Sequence, residues 1–135
     1  MTAYPISKMR GIGPEAAAIL KSEGIRTSVG LLRSAKTPQQ RLKLAQMVGL
    51  HKDRVLDWAT AADRMRVNGV GWEYSELLRA AGVKTAIALK FRNPQKLVEK
   101  LQEVNKQKMV RLLPTQRTVE RWIESAKKLP PIIRY

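Results

Sequence analysis

Cysteine is absent from this chain, and histidine occurs once, at His51. Those two scarcities exclude disulfide frameworks, thiolate zinc sites, cysteine nucleophiles and His-rich metal sites. The lack of cysteine also suits a reducing compartment. Aromatic residues are thin: three tryptophans, three tyrosines and one phenylalanine. That is too little for the ring-covered surface typical of single-strand nucleic-acid binders. No apolar run approaches the ~20 residues of a membrane helix. The start, Met1-Thr2-Ala3-Tyr4-Pro5, has no apolar leader behind a basic segment. The expectation is a soluble, cytoplasmic protein with no membrane partner, nucleoid-associated if its ligand is DNA.

Acidic residues are also few. Asp plus Glu is 11 against 26 Lys plus Arg, for a net charge of +15. Residues 1–66 carry 12 basic and 5 acidic side chains, and residues 67–135 carry 14 and 6. Each half is therefore basic on its own, unlike a neutral fold with a basic tail. A dense and evenly spread positive field favours a polyanion. At 135 residues the chain fits one compact domain or two small units sharing a core, and it buries enough surface to fold without a cross-link.

What the chain has in plenty is self-similarity. Residues Gly11-Ile12-Gly13-Pro14-Glu15 return as Gly69-Val70-Gly71-Trp72-Glu73. A shift of 58 positions brings Gly11/Gly69, Gly13/Gly71, Glu15/Glu73, Leu20/Leu78, Gly24/Gly82, Thr27/Thr85 and Leu31/Leu89 into register. Ile12/Val70, Lys21/Arg79, Ile25/Val83 and Arg26/Lys84 are conservative mismatches. A duplicated supersecondary unit explains this order. The domains expected are a first repeat over 1–66, a second over 67–129 and an extended tail over 130–135. Later in the chain Val55-Leu56-Asp57-Trp58-Ala59 resembles Val119-Glu120-Arg121-Trp122-Ile123 at a shift of 64, so the second copy carries an insertion.

Apolar residues recur at helical spacing nearly everywhere, and nothing alternates long enough for a strand. The fold class is all-α. Thr37-Pro38 and Asn93-Pro94 each put a capping side chain before a proline that suits a first helical turn. Thr27 and Thr85 read as N-caps. Gly24 and Gly82 read as left-handed residues that end a helix. Helices are predicted over 14–22, 28–35, 38–48 and 52–66, then over 72–80, 86–91, 94–107 and 116–128.

Two segments resemble the helix-hairpin-helix motif: Met9-Arg10-Gly11-Ile12-Gly13 with Ala17 and Leu20, and Val67-Asn68-Gly69-Val70-Gly71 with Leu77 and Leu78. In that family the hairpin presents backbone N–H groups to a phosphate of DNA. Glycines let the backbone approach an oxyanion closely, and the next helix's N-terminus adds unpaired N–H groups and a favourable dipole. Such a site reads no base. The candidate nucleic-acid contacts are Gly69, Val70, Gly71 and Trp72, with Gly11, Ile12 and Gly13 of the first copy. Lys21, Arg26, Arg79 and Lys84 are candidate flanking phosphate contacts. Ile12 and Val70 are expected to point inward. Pro14 has no N–H, so the first hairpin offers one donor fewer. Its preceding helix is predicted to be a single turn or missing.

Over nearly its whole length the chain also resembles a bacterial family described as domain of unknown function 4332. The shared segments are Gly11 to Pro14 and Ala62-Asp63-Arg64-Met65-Arg66-Val67-Asn68-Gly69-Val70-Gly71. The resemblance implies a tandem helix-hairpin-helix fold and no reaction.

Trp58 and Trp122 lie on apolar helix faces and read as core anchors. Trp72, beside a glycine hairpin, either stacks on a ligand or packs on the neighbouring repeat. The carboxylate pairs Asp53/Asp57 and Glu120/Glu124 have basic neighbours and read as surface ion pairs. No catalytic residue, metal or cofactor is implied, and no lysine is marked as desolvated for catalysis. The expected function is non-enzymatic, largely sequence-independent binding of nucleic acid, DNA before RNA. The alternative is a protein-interaction or scaffold module that reuses the helix-hairpin-helix fold to bind an acidic partner or a larger assembly, with Ile132, Ile133 and Tyr135 of the tail as its contact.

Overall fold

The computed structural model describes every residue from Met1 to Tyr135. Eight α-helices follow one another: α1 (Pro14–Ser22), α2 (Ser28–Arg33), α3 (Pro38–Val48), α4 (Lys52–Met65), α5 (Trp72–Ala80), α6 (Ala86–Lys90), α7 (Pro94–Val104) and α8 (Gln116–Lys127). Single 3-10 turns cover Ile6–Lys8 and Asn105–Gln107. The fold is all-α, and no helix is long and apolar enough to cross a membrane.

The caps sit where the side-chain chemistry put them. Thr27 and Thr85 accept from the N–H groups of Gly30 (3.0 Å) and Ala88 (3.2 Å). Thr37 and Gln40 close a reciprocal capping box, and Asn93 accepts from Lys96. His51 caps α4 through Nδ1, which accepts from the Asp53 N–H at 3.1 Å. Gly24 and Gly82 take φ of 84° and 86° after α1 and α5, a conformation glycine adopts without a Cβ penalty. The predicted α7 is shorter than expected. It gives way to the 3-10 turn at Asn105, whose side chain bonds both the N–H and the C=O of Val110. That clasp opens the longer connection of the second half. The offset between corresponding helix starts falls to 56 at Pro38 and Pro94, then rises to 64 at Lys52 and Gln116, which places the insertion over 105–115.

Buried apolar side chains form two clusters. One gathers residues between Ile6 and Met65, including Trp58; the other gathers residues between Val67 and Ala126, including Trp122. The packing partners correspond. Helix α4 packs on α2 and α3 as α8 packs on α6 and α7, and α4 also packs on α5.

The chain then straps its halves together. The tail leaves α8 and crosses to the first cluster, where Ile132 and Ile133 pack. Buried Arg66 donates from Nη2 to the Pro130 carbonyl at 2.6 Å. Buried Arg41 donates to the Ala35, Lys36 and Arg134 carbonyls at 2.9, 2.9 and 2.7 Å. The Arg134 N–H donates to the Lys36 carbonyl at 2.7 Å.

Candidate nucleic-acid interface

The two glycine corners make the same internal bond. Ile12 N–H donates to the Met9 carbonyl at 3.0 Å, and Val70 N–H donates to the Val67 carbonyl at 3.1 Å. Ile12 and Val70 are buried, as their apolar character requires. Each corner then opens a helix. Six of the eight α-helices begin on a side chain that caps an N–H. The two that do not are α1 and α5, whose N-caps are Gly13 and Gly71. In α5 the first intrahelical bond is Ser75 N–H to the Gly71 carbonyl. The N–H groups of Gly71, Trp72, Glu73 and Tyr74 precede it and make no hydrogen bond within the fold. In α1 the corresponding set is Gly13, Glu15 and Ala16, because Pro14 has no N–H.

The backbones of the corners differ. Gly69 has φ of 89°, whereas Gly11, Gly13 and Gly71 lie outside the left-handed region. A positive φ is therefore a property of one corner position, and of the other three glycines only Gly11 stands where a Cβ would clash. The space there is filled from within. A Cβ there would stand 2.8 Å from Cη2 of Trp72. The second corner's tryptophan thus packs on the first corner, the second of the two roles open to it. Arg10 and Glu73 add an exposed ion pair at 3.4 Å between the corners.

The second corner forms a ridge between two clefts. One, of about 790 Å³, runs along α8 and carries Arg117, Arg121 and Lys128 beside Asn68 and Gly69, with Glu120 and Glu124 among its walls. The other, of about 510 Å³, carries Lys8 and Arg10 beside Gly69, Gly71 and Trp72. Burial pushes the Tyr4 hydroxyl, in this second cleft, above its ordinary pKa, so it stays a neutral donor.

Of the expected flanking cations, Arg79 lines a small pocket with Gly11 and Trp72, and the other three stand elsewhere. Lys21 and Arg79 occupy the last turns of α1 and α5, about 12 Å along each helix from its glycine cap. Arg79 is held by Glu76 at 2.9 Å. Lys84 lies over the Tyr135 ring at 5.2 Å, and Arg26 is exposed in the loop before α2. Lys8, Arg10, Arg117, Arg121 and Lys128 are the cations that flank the free amides. The i, i+4, i+11 spacing of the last three marks one face of a helix and was the signal available in the sequence.

A group of buried charges supports the second corner from beneath. Asp63, Arg64 and Arg66 are all buried at the end of α4. Asp63 takes Arg66 Nε on Oδ1 at 2.8 Å and the Ala86 N–H on Oδ2 at 2.8 Å. Arg64 donates to the Ser75 carbonyl and hydroxyl and to the Lys84 carbonyl, between 2.8 and 3.0 Å. Burial lowers the Arg64 pKa to about 10, against the pull of nearby Glu76. It remains a cation at neutral pH and needs those acceptors.

No curated protein and no solved structure matches the chain. The model of one family, described as Domain of unknown function (DUF4332), matches residues 10–129. That span includes both glycine corners and the buried Asp63, Arg64 and Arg66, and the chain belongs to this family.

Proposed function

We propose that the protein is a non-enzymatic nucleic-acid-binding protein, with duplex DNA as its preferred form, and that it grips phosphates without reading bases. In this reading residues 9–22 and 67–80 are two copies of a helix-hairpin-helix unit, and the second carries most of the contact. One observation carries the reading: the only two α-helices without a side-chain cap are those that follow the glycine corners. At α5 four N–H groups stay unpaired, between clefts that hold five Lys and Arg side chains. An anion seated there would meet the positive end of the helix dipole and cations that outnumber the Glu73, Glu120 and Glu124 carboxylates of the same clefts. The Glu73 carboxylate, in the same turn, is drawn aside by Arg10.

The scaffold reading through the tail has less to stand on. Ile132 and Ile133 are half-buried against the first core cluster, which leaves Tyr135, with Lys84 over its ring, as the tail's exposed aromatic group.

Titration of random duplex DNA against salt tests the proposal. Neutralising about four to six phosphates gives a slope of log K on log salt of roughly −4 to −5. Diffuse charge alone would also give a slope, so the corner needs its own variant. A Cβ at Gly71 meets nothing nearer than the Tyr4 hydroxyl at 3.9 Å. Gly71→Val therefore folds, crowds the amides, and lowers affinity about tenfold, the scale of one lost charge-assisted bond. A slope near zero refutes the nucleic-acid reading, and full affinity in folded Gly71→Val refutes the role of the corner.

A further inference from the structure

At the far end of α5 the surface changes character. The residue after that helix, Ala81, the turn after α6 and the first half of α7 enclose a groove of about 370 Å³. Arg92, Lys96 and Lys100 line it, and no carboxylate does. Phe91, the chain's one phenylalanine, stands on its rim with 75% of its surface exposed. The Lys90 ammonium lies 5.1 Å from the centre of that ring. Arg92 is fixed in place, since its Nη2 donates to the Ala81 carbonyl at 3.0 Å. Lys96 and Lys100 are one helical turn apart and share a face of α7. At the matching positions of the first half stand Arg33 and Ser34, 58 residues before Phe91 and Arg92. The combination of ring and cations belongs to the second half alone.

A ring left in water beside four cations fits a partner that offers a flat π face and negative charge within one short span. A stacked duplex hides its base faces. A nucleotide freed from pairing exposes one, with a phosphate on either side. We infer that this groove takes an unpaired nucleotide, Phe91 stacking on the base while Arg92, Lys96 and Lys100 hold its phosphates. One ring serves one base, so the fitting partner is a duplex end or junction with a single-stranded extension. The inference rests on the nucleic-acid reading and narrows it to a substrate class. The glycine corner and the groove sit at opposite ends of α5, about 13 Å apart along the helix, roughly four base steps of one strand.

The test compares a blunt duplex with the same duplex carrying a short single-stranded extension, by fluorescence anisotropy. The intact protein prefers the extended form by about tenfold, the scale of one base stacked on an aromatic side chain. Phe91→Ala abolishes the preference while keeping the blunt-duplex affinity, and its exposure means folding is unaffected. Lys96→Glu with Lys100→Glu also abolishes it. A 2-aminopurine placed in the extension is quenched by the intact protein and not by Phe91→Ala. Retention of the preference in Phe91→Ala overturns the inference. So does Phe91-dependent binding to phosphatidylserine vesicles without any preference for the extended DNA. The two proposals fail separately. Blunt-duplex binding that Gly71→Val weakens, with no Phe91-dependent preference, removes the groove and leaves the corner. Phe91-dependent binding of a single strand, with Gly71→Val indifferent, does the reverse.

Discussion

The two halves solve one hydrogen-bonding problem by different means. In the first half the loop before α2 offers the Arg26 carbonyl and the Ser28 N–H. The extended segment at Pro5, bridged to Thr27, meets both with main chain. Ile6 N–H donates to Arg26 at 3.0 Å, and Ser28 N–H donates to the Tyr4 carbonyl at 2.8 Å. In the second half the groups 58 residues later are the Lys84 carbonyl and the Ala86 N–H. The segment that would meet them is part of α4, and its main chain is spent on the helix. Side chains take over: Arg64 Nη1 donates to Lys84 at 2.9 Å, and Asp63 Oδ2 accepts from Ala86 at 2.8 Å. Buried charge replaces an extended segment as the price of running a helix straight into the second corner. The great majority of buried polar groups are paired, with Arg64 Nη2 and Arg66 Nη1 left without a hydrogen bond here, and the partner at hand differs between the halves.

The largest expected effect removes that substitution. Asp63→Ala leaves the Ala86 N–H unpaired and Arg66 without its counter-ion, both in the interior. Breaking a buried pair from one side costs about 3–5 kcal/mol. No side-chain change can delete the matching acceptor of the first half, which is the Tyr4 main-chain carbonyl. Tyr4→Ala loses only a half-buried ring and costs about 1–2 kcal/mol, less than truncation of a fully buried aromatic. Urea unfolding of both variants measures the difference. Equal losses would break the correspondence between extended segment and buried charge.

Much of this was legible beforehand, and the limits have a physical pattern. Local chemistry could be read. A threonine before a short apolar run caps it whatever lies beyond, so Thr27 and Thr85 were placed correctly, and so were the left-handed Gly24 and Gly82. The all-α class followed from spacing alone. Nonlocal chemistry could not be read. Asp63 and Arg66 are three residues apart, a spacing that on most helices marks a solvated ion pair. Their burial depends on where the tail crosses and on the absence of an extended segment like that at Pro5, and no local signal records either. Lys21, Arg26, Arg79 and Lys84 were matched across the repeat, yet matching says only that two positions are equivalent. It does not say that they lie near the glycine corner.

The next effect concerns the corners. Gly11 and Gly69 are matched residues with different neighbours. A Cβ on Gly11 would stand 2.8 Å from Trp72 Cη2. Gly11→Val therefore forces the indole out or the corner open, at about 1–3 kcal/mol by the usual cost of overpacking. Tryptophan fluorescence should shift to the red as Trp72 gains water. An unchanged spectrum with full stability would mean that the two corners do not bear on each other.

The smallest effect sharpens the comparison most. Gly13 and Gly71 stand 58 residues apart, and each is an N-cap without a side chain. A Cβ on Gly13 meets nothing within 4 Å, and its φ of −66° and ψ of 162° suit any residue before a proline. Gly13→Val should cost about 0.5–1 kcal/mol, since glycine is a favoured N-cap and valine a poor one, with the stiffer unfolded chain offsetting part of the loss. Its effect on affinity for duplex DNA separates two arrangements. With the phosphate on the second corner alone, where four free N–H groups meet two basic clefts, Gly13→Val binds as the intact protein does while Gly71→Val weakens. A matching loss in both would seat a phosphate on each corner. The proline that removes a donor from the first would then have no consequence for the grip.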